Sequence, residues 1–477
     1  MPGLREVHVE PKPPSRLADL VGTERAERFQ SLARAASRRL SGRRVINVNS
    51  TANGGGVAEM LQTLLAYTRG VGIDTRWLVI EGNPAFFEVT KRIHNYLYDA
   101  PGDGGELGAA ERAVYEATLA RHAEDIREAL QPGDVALIHD PQPAGLIAAA
   151  RAAGAGVVWR CHVGVDEQSP RSMRAWEFLH PYVADADAYV FSRASFAPPW
   201  AADGRLRVIA PSIDPFSAKN VQLSESDVHS VLIRTGIVGG PAGSAVGFVR
   251  RDGTMGEVRR PVDVLRVGGP PDRETPLVVQ VSRWDHLKDM LGVMTGFVEH
   301  VAPATDAHLV LAGPPVEGVA DDPEGALVFE ECRRAWAALP DLLRCRVHLA
   351  CIPMDDPEEN ATVVNALQSH AAVVVQKSLA EGFGLTVVEA MWKARPVVAS
   401  AVGGIVDQIT DGEDGLLVRD PSDTAEFGRA VRRVLEDAAL AARLGQGARR
   451  RANEGFLPDR HLAQWAGLLG ELCERAE

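Results

Sequence analysis

The chain has little cysteine, five residues in 477. Cys161, Cys332, Cys345, Cys351 and Cys473 are an odd set with no Cys-x-x-Cys pair and no zinc-type spacing. That argues against a disulfide framework or a structural zinc and fits a reducing compartment. Positive charge is also short. With 51 Lys and Arg against 64 Asp and Glu, the formal charge is −13, so the whole-molecule field would repel nucleic acid and anionic membranes. A phosphate-bearing ligand therefore needs a local site. No long uncharged apolar run is present, and residues 1–44 are rich in Arg, Glu and Pro where a signal peptide would be apolar. The expected setting is soluble and cytoplasmic. A solenoid-type repeat is missing as well.

What is present is ordinary globular material, 45% hydrophobic and 24% charged, in a chain too long for one core. Short β-rich runs alternate with helical patterns, as in βαβ units. In the first half the predicted strands are Arg44–Asn49, Arg76–Ile80, Val135–His139, Gly156–Cys161, Ala188–Phe191 and Leu206–Ala210. In the second they are Leu277–Val281, His308–Ala312, Arg346–Ala350, Ala371–Gln376, Pro396–Ser400 and Gly415–Val418. None alternates strictly with polar residues, which is the mark of strands covered on both faces.

The fold class expected is therefore α/β, with two Rossmann-like doubly wound domains. Residues 1–217 make the first domain, opening with a helical lead-in over 1–40, and a helix within 456–477 packs back onto it. Residues 275–455 make the second. Between them, 218–274 is an insertion rich in glycine and arginine, with only a weak β-like patch at Val231–Val238.

Three constellations could carry chemistry. After the strand Arg44–Asn49 comes Gly54-Gly55-Gly56 and a helix beginning near Val57. Glycines allow close backbone approach, and the helix start offers free N–H groups to a phosphate. The same triplet also reads as a plain tight turn. The spacing G-x-G-x-x-G is absent, which disfavours a dinucleotide fold, and Asp74 reads as a strand-entry residue. The second constellation, Ser282-Arg283-Trp284-Asp285-His286-Leu287-Lys288, places Arg283 and Lys288 at the carboxyl end of a parallel strand, where open α/β sheets bind ligands. Their charges suit a departing pyrophosphate, although by themselves they also read as a solvated surface pair.

The third is the most specific. Glu381-Gly382-Phe383-Gly384-Leu385-Thr386-Val387-Val388-Glu389 holds two acids with seven residues between them, on a loop entering a helix near Gly384 or Leu385. Glu381 lies in the loop, and Glu389 about one turn into the helix. One carboxylate can meet a sugar and the other a ribose, with the helix start aimed at phosphates between them. Asp321-Asp322-Pro323-Glu324 and Asp355-Asp356-Pro357-Glu358-Glu359 are accounted for as helix starts, so no metal ligands are assigned.

The pair Glu381 and Glu389, with its glycines, resembles the E-x7-E motif of retaining GT-B glycosyltransferases of family four, and Arg283 and Lys288 match that family's donor-phosphate pair. Ala401-Val402-Gly403-Gly404 and Asp411-Gly412-Glu413-Asp414-Gly415 resemble its downstream turns. Within the family, Val48-Asn49-Ser50-Thr51, Gly54-Gly55-Gly56-Val57-Ala58-Glu59, His139-Asp140-Pro141-Gln142-Pro143, Trp159-Arg160-Cys161-His162 and Pro211-Ser212-Ile213-Asp214-Pro215 are similar to segments of trehalose synthases. The likeness covers most of residues 40–455. It departs at His286-Leu287, where a proline and an aromatic residue are more usual, and over 218–274.

The resemblance implies a GT-B fold whose two domains face a cleft, and transfer of glucose from a nucleoside diphosphate glucose to glucose, reversibly, giving trehalose. Catalytic roles fall to His162, Glu381, Arg283 and Lys288. Donor binding falls to Gly55, Gly56, Arg283, Lys288, Gly382, Phe383, Gly384, Leu385 and Glu389, and acceptor binding to His139 and Asp140. No metal or other cofactor is expected. The partners are a nucleotide sugar and a small sugar acceptor, with no nucleic acid and no membrane, and a homodimer is the assembly to test. The rival enzyme is a retaining trehalose phosphorylase, which would place inorganic phosphate in the same cationic pocket. From other classes come a nucleotide-sugar sensor without turnover and a dinucleotide-dependent oxidoreductase.

Overall fold

The structure, a computed structural model, describes residues 3–52, 55–241, 246–316 and 323–475. Gly54, Asp321 and Asp322 lie outside the described residues. The chain divides into two units, one of residues 1–212 with 456–477 and the other of residues 213–455.

Unit 1 is built on a seven-stranded sheet. Its strands are β1 (Arg5–Glu6), β2 (Arg44–Asn49), β3 (Asp74–Val79), β4 (Val135–His139), β5 (Gly156–Cys161), β6 (Ala188–Phe191) and β7 (Leu206–Val208). Their order is β1-β3-β2-β4-β5-β6-β7. All pair in parallel except β1, which runs antiparallel on the edge of β3. The unbroken apolar runs are explained by helices on both faces, and β4 is buried along its whole length. The order reverses between β2 and β4, so Asn49 and His139 end at a topological switch point, where such sheets bind ligands. The final helix, Pro458–Arg475, belongs to this unit and is tied to the helix Thr23–Arg39 by an Arg25–Asp459 ion pair.

Unit 2 carries the second seven-stranded sheet. Three short strands come first, β8 (Gly247–Val249), β9 (Met255–Glu257) and β10 (Asp263–Leu265). The parallel strands follow as β11 (Leu277–Val281), β12 (His308–Gly313), β13 (Val347–Cys351), β14 (Val373–Gln376), β15 (Val397–Ser400) and β16 (Leu416–Val418). Sheet order is β10-β13-β12-β11-β14-β15-β16, with β10 antiparallel at the edge. The six parallel strands thus have the doubly wound order in which the first is flanked by the second and the fourth, and the switch point lies between β11 and β14.

Residues 218–274 are structured wherever they are described. The patch expected as β-like at Val231–Val238 is the end of the helix Glu225–Arg234 and the turn after it. Val228, Val231 and Leu232, at helical spacing, bury one face there, and Ser224 caps the start by accepting from the amide of Asp227. β8 and β9 form an antiparallel hairpin, and β10 extends the main sheet. Capping at Asp356 is as expected. Its carboxylate accepts from the amides of Glu358 and Glu359 with Pro357 in the first turn, and its bond from Arg250 holds it down at about 2 against the cost of burial.

Candidate functional site

In unit 2 the loops leaving β11 and β14 meet at the switch point. Trp284 anchors the first loop. It is buried and donates from Nε1 to the carbonyl of Pro314 at 2.9 Å, filling space that only a glycine at 313 leaves open, since a Cβ there would lie 2.6 Å from Nε1. Asp285 then caps a short turn by accepting from the amide of Leu287 at 2.8 Å, and its other oxygen takes Arg283 Nη2 at 3.1 Å. Arg283 is half exposed. The turn delivers Lys288, whose Nζ donates to Oε2 of Glu381 at 2.6 Å, and Ser378 Oγ lies 3.2 Å from the same oxygen.

Two buried polar side chains that the motif reading missed fix this geometry. Gln280, 0% exposed in β11, donates to the carbonyl of Lys288 at 2.7 Å and accepts from the amide of Lys377 at 3.0 Å. Lys377, 1% exposed just past β14, pairs with Asp289 and donates to the carbonyl of Pro421 at 2.6 Å. Asp289 has φ +46°, an uncommon left-handed residue, and caps the next helix through the amide of Gly292. The one signal available was a lone glutamine in each of the apolar runs LVVQV and VVVQ.

Gly384, with φ +84°, is the N-cap of the helix Leu385–Trp392, so the loop Glu381–Gly384 turns directly into that helix. The carbonyl of Phe383 accepts from Gln408. Gly404 packs so close that a Cβ would sit 2.7 Å from the carbonyl oxygen of Gly382 and from Cα of Phe383. Glu389 lies within the helix and is 2% exposed, with Oε1 3.7 Å from Nζ of Lys219. Lys393, one turn on, donates to Asn220 Oδ1 at 3.2 Å, and burial pulls its ammonium well below the usual lysine range. Lys219 was not legible as a neighbour of Glu389, because nothing local in the sequence joins 219 to this helix, whereas Lys393 stands at the i,i+4 spacing.

In unit 1, Gly55 has φ +89° and is the N-cap of the helix Gly56–Gly70, with both glycines exposed. His139, at the end of β4, is buried and bonded through Nε2 to Asn47 Oδ1 at 3.0 Å. Burial, with His162 alongside, pushes it down to about 3. Its ring stacks on that of His162 with centroids 5.7 Å apart. Asp140 takes φ +65° and receives the His162 amide at 2.8 Å and His162 Nδ1 at 3.1 Å. Burial works against the ionised carboxylate, but these donors outweigh it and hold Asp140 at about 2. Arg160 donates from Nε to His162 Nε2 at 3.0 Å. Burial and that guanidinium lower His162 against the opposing pull of Asp140.

The structure therefore joins Lys288 with Glu381 in one unit and His139, Asp140 and His162 in the other. Among the described residues no group of three or more His, Cys, Asp or Glu is placed to hold a metal ion, and no helix is long and apolar enough to cross a membrane.

Two doubly wound units with polar clusters at their switch points define a GT-B glycosyltransferase. An α,α-trehalose-phosphate synthase (UDP-forming) from Burkholderia vietnamiensis shares the fold, with a TM-score of 0.65 at 15% identity over 91% of this chain and 98% of that one. Residues 47–198 match the trehalose synthase N-terminal domain, and residues 265–451 match glycosyl transferases group 1. A trehalose synthase of Rubrobacter xylanophilus is 35% identical over 459 residues, covering 96% of this chain and 97% of the relative. A trehalose phosphorylase of Pleurotus pulmonarius is 24% identical over 447 residues, covering 87% of this chain and 55% of that one. The chain belongs to the trehalose synthase family of glycosyltransferases, and it is an enzyme of trehalose-related glycosyl transfer.

Proposed function

We propose that the enzyme moves glucose from a nucleoside diphosphate glucose to the anomeric hydroxyl of free glucose, reversibly and with retention, giving α,α-trehalose. The bond from the donor's anomeric carbon to phosphate breaks, a bond to the acceptor's anomeric oxygen forms, and nucleoside diphosphate and a proton leave. The observation that carries this reading is the Lys288–Glu381 contact of 2.6 Å at the switch point of unit 2. In this reading the cation serves the departing phosphate and the carboxylate beside it serves the hydroxyls of the transferred sugar.

Arg283 adds a second cation from the same loop, and the start of the helix Leu385–Trp392, with Gly382, Phe383, Gly384 and Leu385, faces the diphosphate. No metal is required in this reading, because these groups absorb the charge released. Glu389 takes the ribose. From unit 1, Gly55 and Gly56 offer backbone N–H groups to phosphate, His162 serves the transferred sugar, and Asp140 with His139 behind it serves the acceptor. The near full-length likeness to a trehalose synthase and the UDP-forming neighbour support a nucleotide donor over inorganic phosphate. Five cysteines with no Cys-x-x-Cys pair suit a cytoplasmic enzyme.

The test is a matrix of sugar nucleotides against glucose and other acceptors, with products resolved by chromatography and their anomeric configuration read by NMR. Trehalose with a nucleoside diphosphate should return nucleotide sugar. Glucose phosphate formed from trehalose and inorganic phosphate, with no reaction of any sugar nucleotide, would replace this reading by a phosphorylase.

A further inference from the structure

Arg160 is the residue of unit 1 that neither fold nor transfer chemistry explains. It is 0% exposed in the central strand β5, among Val157, Val158, Trp159 and Cys161. A buried guanidinium is costly, and no carboxylate among the described residues pairs with it directly. Its hydrogen bonds go to His162 Nε2 at 3.0 Å and Ser192 Oγ at 3.2 Å, and Nη1 has no partner among the described residues.

A guanidinium has donors only, so the ring nitrogen it meets must present a lone pair. Nε2 of His162 is therefore unprotonated and the ring proton sits on Nδ1, 3.1 Å from each oxygen of Asp140. Protonating Nε2 would set one N–H against another. We propose that Arg160 is a positioning residue that locks His162 in its neutral Nδ1–H tautomer and, through that ring, holds the Asp140 carboxylate in one orientation toward a sugar hydroxyl. The last clause rests on the transferase reading, whereas the tautomer does not.

The surroundings point the same way. From β4 come Asp140 and His139, from the ring's own strand Arg160 and Cys161, and from the helix Pro458–Arg475 come Arg460 and His461. Asp140 is the only carboxylate in that set, and it lies on the Nδ1 side of the ring. His461 bonds Ser212 Oγ at 2.9 Å, and burial holds it well below the usual histidine range. Asp140 sits at φ +65°, and its carboxylate is gripped by both the amide and Nδ1 of His162. With both nitrogens engaged, His162 shuttles no proton, and Asp140, still slightly exposed, keeps lone pairs for a hydroxyl.

The experiment is 15N-imidazole NMR on the full chain, with His162→Gln to assign the ring, followed by Arg160→Met and Arg160→Lys. In the wild type, His162 should show Nε2 unprotonated and titrate below the free-histidine range. In Arg160→Met the ring's titration should move upward from its wild-type position, because Asp140 remains and the opposing cation is gone, while burial still holds it down. The KM for the sugar acceptor should rise about tenfold and by more than the donor KM. Arg160→Lys, which can still donate to Nε2, should restore part of both. A wild-type ring protonated at Nε2, or titrating with an ordinary midpoint, overturns the proposal even if Arg160→Met does not fold. An altered tautomer with unaltered acceptor KM overturns the Asp140 part. If no sugar serves as substrate, the transferase reading fails and the spectrum still decides the tautomer.

Discussion

Nζ of Lys288 and Oε2 of Glu381 lie 2.6 Å apart, although 93 residues separate them in the chain. Their loops leave β11 and β14, the neighbours that flank the switch point of the second sheet. Each group is nearly buried, so each depends on the other for its charge partner. Lys288→Ala should therefore raise the donor KM and lower kcat together, with kcat/KM falling by about 10²–10³. Glu381→Ala should lose at least as much turnover with the circular dichroism spectrum unchanged, while the melting temperature falls because Lys288 loses its charge partner. Steady-state kinetics beside thermal melts check both, and wild-type activity in either variant removes the role assigned to that residue.

Beneath this pair, Lys377 neutralises Asp289 inside unit 2. Lys377→Met leaves a largely buried carboxylate without its cation and should cost about 3–5 kcal/mol. Asp289→Asn keeps a residue that caps helices and tolerates the left-handed region, so on top of Lys377→Met it should recover a large part of that loss. Chemical denaturation of the four proteins in a double-mutant cycle measures the coupling. Additive losses would mean that the ion pair contributes nothing beyond its parts.

The contrast between those two contacts shows where sequence reasoning reaches. Glu381 and Lys288 stand in motifs whose spacing is local, and largely apolar runs made β4, β5 and β6 of unit 1 and β11 of unit 2 legible to the residue. Gln280 and Lys377 bond each other across 97 residues, and only the sheet order makes them neighbours. β8, β9 and β10 have three residues each, too few for a pattern, and β10 exists because β13 offers it an edge. Val231–Val238 was misread for the opposite reason. β-branched residues suggested a strand, but the burial of Val228, Val231 and Leu232 along one face decides for a helix.

Gly404 offers a steric test of the loop. Its backbone φ of −63° suits any residue, so an alanine there is not strained by conformation. Its Cβ, however, would fall 2.7 Å from backbone atoms of Gly382 and Phe383. Gly404→Ala should push this segment outward and weaken donor binding by about tenfold, with smaller changes in the acceptor KM. Titration calorimetry with nucleoside diphosphate reads the effect directly. Unchanged affinity would show that the segment lies away from the donor.

Two buried histidines, one in each unit, set a pH limit on stability. Burial pushes His139 down to about 3, helped by His162, and His348 to about 3, helped by His308 and Arg266. In the unfolded chain each titrates at about 6.5. Between those values the unfolded state binds the extra proton, so the contribution of each neutral ring is fully present above about pH 6.5 and declines as the pH falls toward 3. At pH 5 the loss is about 2 kcal/mol per histidine, in a window above the unfolded carboxylate range. Urea denaturation at pH 7.5 and pH 5 should show both units losing stability with proton uptake on unfolding, and His348→Gln should weaken the dependence in unit 2 alone, where His370, pushed down to about 4 by burial, still contributes. Equal stability at the two pH values would mean that these rings accept protons without leaving the folded state.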